Sequence, residues 1–398
     1  MMLIDWEKEK LGNVTDIKGG GTPSSKIKEY WDGNIDWYTP TEVNNNGYLN
    51  HSIRKISEKG LKNSSANLLP KDTILMSSRA GIGKMAILRT PAATNQGFQS
   101  LIPKKYINSY FLYSMQNIIS KSANRLASGS TFTEISGKET SKILIKLPLN
   151  IKEQAKIGRL FKKIDNLITV NQQKLEKLKL LKRALLQQLF PQNDEINPKI
   201  RFANFNNDWK QQKLGTLAKW KLGTGIKKND LNYSNGKYVI HYADLYKMPE
   251  VIGIQDITHH SLSDEGTLVK RESILFPKSD VTPQGLARTS SLIANEVYAG
   301  SDVLIGEIKN SMTNYGPFLS FEINRNSNDI LSFITGSTIR HINSKSLSKL
   351  DINITNYTEQ NEIASLLIKL NYLITFKYQN KINKYDALKK ALLQNMFI

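Results

Sequence analysis

Two long stretches of the chain carry apolar residues at alternating spacings of three and four positions, which is the pattern of an amphipathic helix. Each stretch opens on Asn-x-x-Glu, at Asn150 and at Asn356, and this spacing is typical of a capping box at a helix N-terminus. We therefore predict long helices over 150–192 and 356–398. The apolar seam positions are Ile157, Phe161, Ile164, Ile168, Leu175, Leu178, Leu185 and Leu189 in the first stretch and Ile363, Leu367, Leu370, Ile374, Tyr378, Ile382, Tyr385, Leu392 and Met396 in the second.

An unbroken helix of this length would extend roughly 60 Å, at about 1.5 Å per residue, which is too long for the interior of one small domain. We expect the two helices to bury their seams against each other as an antiparallel coiled coil. Leucines beside the seam, among them Leu180, Leu181 and Leu186, predict a surface for further helices. The alternative is that each helix is only a lid on its own domain.

The remaining segments, 1–149 and 193–355, alternate short apolar runs with clusters of Gly, Asn, Ser and Pro, which predicts strands joined by polar loops. Helical patterns cover Ile107 to Ala127 and Asp329 to Thr335, so each segment is predicted to be a mixed α+β domain. The predicted strands include Thr73–Met76, Met85–Leu88, Val239–Ile240, Ser273–Phe276 and Asp302–Ile305.

The chain repeats itself after about 200 residues. KDTILM at 71–76 matches RESILF at 271–276, and LKRALLQQLF at 181–190 matches LKKALLQNMF at 388–397. Lys182 and Lys389 interrupt the two seams at equivalent places. The repeated unit is therefore a variable domain followed by a more constant helix.

Composition favours a polyanionic partner. The 55 Lys and Arg residues against 35 Asp and Glu give a formal charge of +20, and neutralising phosphates releases condensed counterions. The chain has no cysteine, so disulfides and thiolate metal sites are excluded, and its five histidines are scattered. We expect no metal and no cofactor in this chain, no membrane partner, and a cytoplasmic location.

The polar loops of both domains combine hydroxyl, amide, aromatic and basic side chains, which suit contacts to phosphates and to base edges. The scaffold residues repeat between the domains whereas these loop residues change, as two reading surfaces for different sequences require. The candidate DNA-binding residues are Tyr38, Thr41, Ser77, Ser78, Arg79, Lys84, Asn95, Gln96, Ser130 and Thr131 in the first domain and His241, Tyr242, Lys278, Ser279, Gln284, Arg288, Tyr298, Thr338 and Arg340 in the second.

No repeated set of catalytic groups is found, so we predict that the chain is not an enzyme. One alternative is a self-sufficient nuclease in which Asp302 and Glu307 hold Mg²⁺ and Lys309 orients the attacking water. The first domain has no carboxylates at the equivalent positions. A second alternative is an RNA-binding protein with a coiled-coil arm, although RNA-binding signatures are not evident.

The order of parts resembles the specificity subunit of type I restriction-modification enzymes over essentially all 398 residues. The most specific elements are Leu147-Pro148-Leu149 before Glu153-Gln154 and the second pair Glu359-Gln360, each leading into a long helix. The sequence departs from the family where Ile354 replaces an expected proline, and we expect a looser junction there.

The resemblance implies that each target recognition domain reads one half of a split, asymmetric sequence in double-stranded DNA, while the helices fix the gap between the halves. It also implies two methyltransferase (M) subunits docked on the helices, which supply the S-adenosylmethionine site and methylate adenine. Two restriction (R) subunits would add ATP- and Mg-dependent translocation and cleavage for defence against foreign DNA.

Overall fold

The computed structural model describes residues 6–43, 47–128, 133–192 and 195–397. The chain forms two compact units, unit 1 comprising Met1–Lys174 with Gln379–Ile398 and unit 2 comprising Leu175–Tyr378. Each unit contains one α+β domain, the beginning of the long helix that follows that domain, and the end of the other long helix.

The domain of unit 1 is built on two main sheets. The larger sheet consists, in spatial order, of strands Thr15–Gly19, Phe98–Pro103, Ile74–Ser77, Met85–Leu88 and Tyr48–Leu49. The smaller consists of Arg54–Ile56, Trp31–Tyr38 and Ala93–Thr94, and a separate pair joins Trp6–Lys10 to Leu144–Pro148. The α-helices are Leu11–Val14, Glu58–Lys62, Ser109–Ser114, Gln116–Leu126 and Gly137–Ser141, with 3-10 turns at Lys28–Tyr30 and Pro40–Glu42.

The domain of unit 2 repeats this plan. Its larger sheet consists of Ala218–Leu222, Val303–Ile308, Ile274–Pro277, Ser290–Leu292 and Val251–Ile252. Its smaller sheet consists of His259–Ser261, Lys237–Ile240, Val297–Ala299 and Thr267–Val269, and the pairs are Lys210–Lys213 with Asp351–Ile354 and Ser279–Asp280 with Arg340–His341. The α-helices are Leu214–Leu217, Pro283–Leu286, Gly316–Arg325, Ser327–Leu331 and Ser344–Leu347, with 3-10 turns at Lys228–Asp230, Asp244–Tyr246 and Ile254–Asp256.

The two larger sheets correspond strand for strand, which confirms the predicted α+β repeat. The matching segments KDTILM and RESILF form the same central strand in each sheet. The chain enters each strand through a residue with positive φ, Asp72 at 67° and Glu272 at 68°. Such a conformation is uncommon for residues other than glycine, so its recurrence at equivalent positions marks one shared turn.

The end of each long helix packs on a domain through three aromatic residues that occupy equivalent positions in the two units. In unit 2, the Phe190 ring lies 6.1 Å from Trp209 and 5.4 Å from Phe318. In unit 1, the equivalent Phe397 ring lies 5.5 Å from Trp6 and 5.7 Å from Phe111. Because the first helix ends on the second domain, the alternative that each helix is only a lid on its own domain is wrong.

The beginning of each long helix is held to its preceding domain by a buried glutamine. The Gln154 amide donates to the Pro148 and Tyr106 carbonyls and accepts from the Asn108 amide. Gln360 makes the same three kinds of bond, donating to the Thr355 and Thr313 carbonyls and accepting from the Tyr315 amide. The looser junction expected from Ile354 is therefore not found.

The first long helix spans Ile151–Gln188. The second consists of α-helix Tyr357–Tyr372, a π-helical turn Leu373–Gln379 and α-helix Asn380–Met396. The predicted seam is confirmed in part, since Leu178, Leu185, Ile374, Tyr378, Tyr385, Leu392 and Met396 are only half-buried. The buried seam residues are Ile157, Phe161, Ile164, Ile168, Leu175, Leu189, Ile363, Leu367, Leu370 and Ile382.

The helix caps differ from the predicted capping box. The Asn356 side chain accepts from the Glu359 amide, but the Glu359 carboxylate accepts from the Arg201 guanidinium and the Thr355 hydroxyl instead of returning to the cap. Asn150 likewise caps through its side chain, at the amide of Lys152. Within the described ranges, no helix is both long enough and apolar enough to cross a membrane.

Candidate nucleic-acid interface

The structure brings three predicted loops of unit 1 together at one side of the domain. The Asn95 amide donates to the Tyr38 carbonyl at 3.0 Å, and the Ser78 amide donates to the Gly97 carbonyl at 2.9 Å. Gly97 also lies against the Pro40 ring, where an added Cβ would stand 2.8 Å from the ring carbon Cγ. The loops around Thr41, around Arg79 and at 95–97 therefore form one surface, which we name the unit 1 loop group.

The turn between Ser77 and Lys84 is held rigidly in this group. The Ser77 hydroxyl donates to the Gly81 carbonyl at 2.6 Å and accepts from the Lys84 amide at 3.0 Å. The Ser120 hydroxyl, on helix Gln116–Leu126, donates to the Ile82 carbonyl. Gly83 has φ of 85° and leaves no room for a Cβ beside Ser120, so only glycine suits this position.

Two cations project from this rigid turn. Arg79 is half-buried and Lys84 is exposed, and neither side chain has a hydrogen-bond or ion-pair partner among the described residues. Gln96 and Thr41 are exposed beside them, and the Gln96 side chain accepts from the Thr22 hydroxyl at 2.6 Å. The group therefore offers one guanidinium, one ammonium and amide groups to a ligand.

Three predicted contact residues of unit 1 are buried and require correction. Tyr38 is 1% exposed within the apolar core, and Ser77 and Ser78 are fully buried. The Ser78 hydroxyl donates to the Glu134 carboxylate, while the Asn95 side chain accepts from the Gly97 amide. The Ser77, Ser78 and Asn95 side chains shape the loops because their polar groups are already paired inside the domain. Ser130 and Thr131 lie outside the described residues.

Unit 2 assembles a corresponding group from different residues. The Ser279 hydroxyl shares a hydrogen bond with the His341 ring at 2.9 Å, and the Tyr246 hydroxyl donates to the Ser279 carbonyl at 2.5 Å. The Arg340 guanidinium donates to the Val281 carbonyl at 2.5 Å. Gln284, on the short helix that follows, is exposed. We name this surface the unit 2 loop group.

Of the predicted cations of unit 2, Arg288 is used inside the fold, whereas Lys278 and Arg340 pair with neighbours at the partly exposed surface. The Arg288 guanidinium donates to the Tyr246 and Met248 carbonyls, and burial lowers its pKa. The Lys278 ammonium lies 3.4 Å from the Asp302 carboxylate. Arg288 is therefore a structural clamp, which corrects its predicted contact role. The unit 2 loop group therefore presents the partly exposed cations Lys278 and Arg340 beside neutral donors and acceptors.

The remaining predicted residues of unit 2 divide between core and surface. His241 is 6% exposed, and burial lowers its pKa, which favours the neutral ring. Tyr242 packs 4.2 Å from that ring and is half-buried. Tyr298 lies on the smaller sheet under the Lys237 ammonium, 4.2 Å from it, whereas Thr338 is exposed in the loop before Arg340. His241 is corrected to a packing position.

The loop-group members that were missed in the sequence include Thr22 and His341. Thr22 is 74 positions from Gln96, and His341 is 62 positions from Ser279. No local pattern marks either residue, because each contact depends on which strands pair. The repeat could have located His341, since Ser-Gly-Ser-Thr at 128–131 matches Thr-Gly-Ser-Thr at 335–338, three positions before it.

The nuclease constellation is not assembled. The Glu307 carboxylate pairs with the Lys221 ammonium at 2.6 Å, and the Lys309 ammonium donates to the Gly215 carbonyl at 2.6 Å. In the part of the chain that the structure describes, no three His, Asp or Glu side chains are grouped so as to hold a metal ion.

Comparisons with known proteins agree with this repeated architecture. The family described as the type I restriction modification DNA specificity domain matches residues 4–180 and 206–384. The type I restriction enzyme MjaIX specificity subunit of Methanocaldococcus jannaschii is 33% identical over 292 residues, which cover 69% of this chain and 66% of that protein. The EcoR124I/EcoR124II specificity subunit of Escherichia coli is 30% identical over 171 residues, 41% of each chain. The matches span less than two thirds of either relative's length.

A solved structure shares the fold over the full chain. The type I restriction-modification system S subunit from M. genitalium aligns with a TM-score of 0.69 and 15% identity, covering 100% of this chain and 97% of that one. Two copies of the family domain account for most of the present sequence. The chain therefore belongs to the type I restriction-modification DNA specificity family.

Proposed function

We propose that this chain is a non-catalytic specificity subunit in which each domain reads one half of a split, asymmetric target in double-stranded DNA. The observation that carries this proposal is one scaffold with two different loop groups. The larger sheets match strand for strand, yet the unit 1 loop group presents Arg79 and Lys84 while the unit 2 loop group presents Ser279 and Gln284. Two copies of one enzyme would instead repeat their reactive groups.

The chemistry of the exposed groups supports reading in the major groove. A guanidinium such as that of Arg79 pairs with guanine, and an amide such as that of Gln96 or Gln284 pairs with adenine, in each case through two hydrogen bonds. Lys84 suits a phosphate, which positions the protein without reading sequence. The excess of basic residues supplies the sequence-independent part of the affinity.

The long helices set the gap between the two half-sites and dock two methyltransferase subunits in this proposal. Support comes from apolar side chains left exposed on them, Leu180 at 56%, Leu181 at 47% and the repeat equivalent of Leu181, Leu388, at 48%. Similar faces on both helices suit two copies of one partner. S-adenosylmethionine would bind to the methyltransferase subunits, and ATP and Mg would bind to two restriction subunits. The complex would act in the cytoplasm.

The test is an adenine-methylation map of a methylation-free host that expresses this chain with its neighbouring methyltransferase subunit, compared with the methyltransferase subunit alone. We expect a split motif with a fixed gap only when this chain is present. A stable complex that yields no motif would contradict the proposal and favour binding to RNA, which a binding comparison between duplex DNA and RNA would then detect.

A further inference from the structure

The two long helices differ in length by one residue between equivalent contacts. Lys182 follows the buried Gln154 by 28 positions, whereas Lys389 follows the equivalent Gln360 by 29. Both lysines are held by carboxylates, at 2.6 Å in each case. The second helix therefore contains one extra residue and still presents its lysine to a partner.

Burial along the helices locates this extra residue. Near the beginning, buried Ile157 and Phe161 correspond to buried Ile363 and Leu367, at an offset of 206. Further along, buried Leu175 corresponds to buried Ile382, at an offset of 207. The offset changes between Leu370, which matches Ile164, and Ile382.

The π-helical turn Leu373–Gln379 lies within this interval, while the first helix is α-helical throughout. In an uninterrupted α-helix, one extra residue turns every later side chain by about 100° around the axis. Ile382 and Lys389 would then leave the buried face. A single π turn takes up an additional residue locally, since its hydrogen bonds join residues five apart instead of four.

We infer that the turn Leu373–Gln379 absorbs the one-residue difference and so keeps the later part of the second helix in register. The second helix can lose one residue here, by reverting to α-helix, whereas the first helix cannot. If the helices set the DNA gap, as in the function proposed above, that gap depends on helical register and not on residue count.

The repeat supplies a matched pair of deletions. Leu-Ile-Thr occurs at 167–169 in the first helix and at 373–375 in the second. Deleting Thr375 from the full chain should convert the π turn to α-helix and leave the melting temperature within about 2 °C of the unaltered chain, since no anchor moves. Deleting Thr169 should lower it by roughly 10 °C, because Lys182 and Phe190 leave their contacts.

Equal losses for the two deletions, or no loss for either, would overturn the inference. A double-mutant cycle adds a second readout. If Lys389 remains paired with Asp165, Lys389→Met should cause the same loss of stability in the chain that lacks Thr375 as in the unaltered chain. A smaller effect would show that the register has shifted. Both measurements use the isolated chain and test only the role of the turn. A chain that lacks Thr375, keeps its stability and directs no methylation would contradict the proposed function and not the role of the turn.

Discussion

The two places where a helix end meets a domain share their apolar contacts but differ in their charges. Lys389 in unit 1 binds Asp165 of the first helix, whose carboxylate also accepts from the Tyr110 hydroxyl at 2.9 Å. Lys182 in unit 2 binds Glu250 of the domain, whose carboxylate also accepts from the Asn371 side chain at 2.9 Å. Both units have the lysine, whereas its carboxylate partner lies on the long helix in unit 1 and in a domain loop in unit 2.

This difference shows which features a duplicated scaffold must keep. Asp165 and Asn371 occupy equivalent helix positions, so the negative charge lost at one is supplied by Glu250 near the other. A half-buried ammonium without a partner would be destabilising, but the carboxylate that pairs with it can come from any element nearby. At these two contacts the aromatic residues recur at equivalent positions, while the carboxylate that pairs with the lysine comes from a different element in each unit.

The largest expected effect comes from ending the chain at Tyr385. Truncation removes Lys389 and Phe397 from unit 1 together with the apolar residues between them. We expect unit 1 to lose cooperative folding, seen as loss of protection from hydrogen exchange, while unit 2 keeps its protection. The methyltransferase subunit should no longer co-purify. A truncated chain that retains both unit 1 protection and a full complex would contradict the packing described here.

Removal of one aromatic anchor should have the next largest effect. Phe190→Ala should destabilise unit 2 by about 4 kcal/mol and Phe397→Ala should destabilise unit 1 by about 3 kcal/mol. Phe190 is fully buried and its ring faces the Arg325 guanidinium, whereas Phe397 is 9% exposed. Urea unfolding monitored by hydrogen exchange in each unit checks the order. A larger loss for Phe397→Ala would show that the two anchors are ranked wrongly.

The ion pairs of the two lysines should also contribute unequally to the stability of the two units. Lys182→Met should cost about 2 kcal/mol and Lys389→Met about 1 kcal/mol, because the Lys182 side chain is 17% exposed and that of Lys389 is 30% exposed. Chemical denaturation of both variants measures the difference. Equal losses would indicate that the two lysines contribute alike despite their surroundings.

Glu250 adds a pH dependence to unit 2. Burial raises its pKa, but the Lys182 pairing and hydrogen bonding outweigh this and lower the pKa below its ordinary value of 4.5. The resulting stability is present above the ordinary value and is lost as the pH falls through the lowered one. Lys182→Met should therefore flatten the acid destabilisation of unit 2. If the stability of unit 2 depends on acid pH in the same way in that variant, Glu250 is not the source of that dependence.

The sequence predicts the periodic parts of this molecule and misses contacts that depend on strand pairing. The helical seams and the central strands were recognisable because each carries a regular apolar spacing, and the repeat because its segments match in sequence. Helix Gly316–Arg325 was missed because its Gly-Pro start resembles a turn, and the predicted helix over Ile107–Ala127 is instead two helices that meet at Met115. A proline is compatible with a first helical turn, where its missing amide costs nothing.

The loop groups were predicted only in outline. Clusters of polar loop residues pointed to the correct regions, but burial decides which members face solvent, and Tyr38 and Ser78 do not. The partners of Lys182 and Lys389 also could not be predicted, because Glu250 and Asp165 are brought to them by different elements. Local sequence does not encode which distant loop supplies a carboxylate.

The smallest expected effect on stability, and the most direct test of two independent reading surfaces, comes from Arg79→Ala and Gln284→Ala. Neither side chain has a partner in the described fold, so each substitution should change the free energy of unfolding by less than about 0.5 kcal/mol. Adenine-methylation maps of both variants with the methyltransferase subunit should show relaxed bases in one half-site for Arg79→Ala and in the other half-site for Gln284→Ala, with the gap unchanged. Relaxation of the same half-site by both substitutions, or of neither half-site by either, would contradict the account.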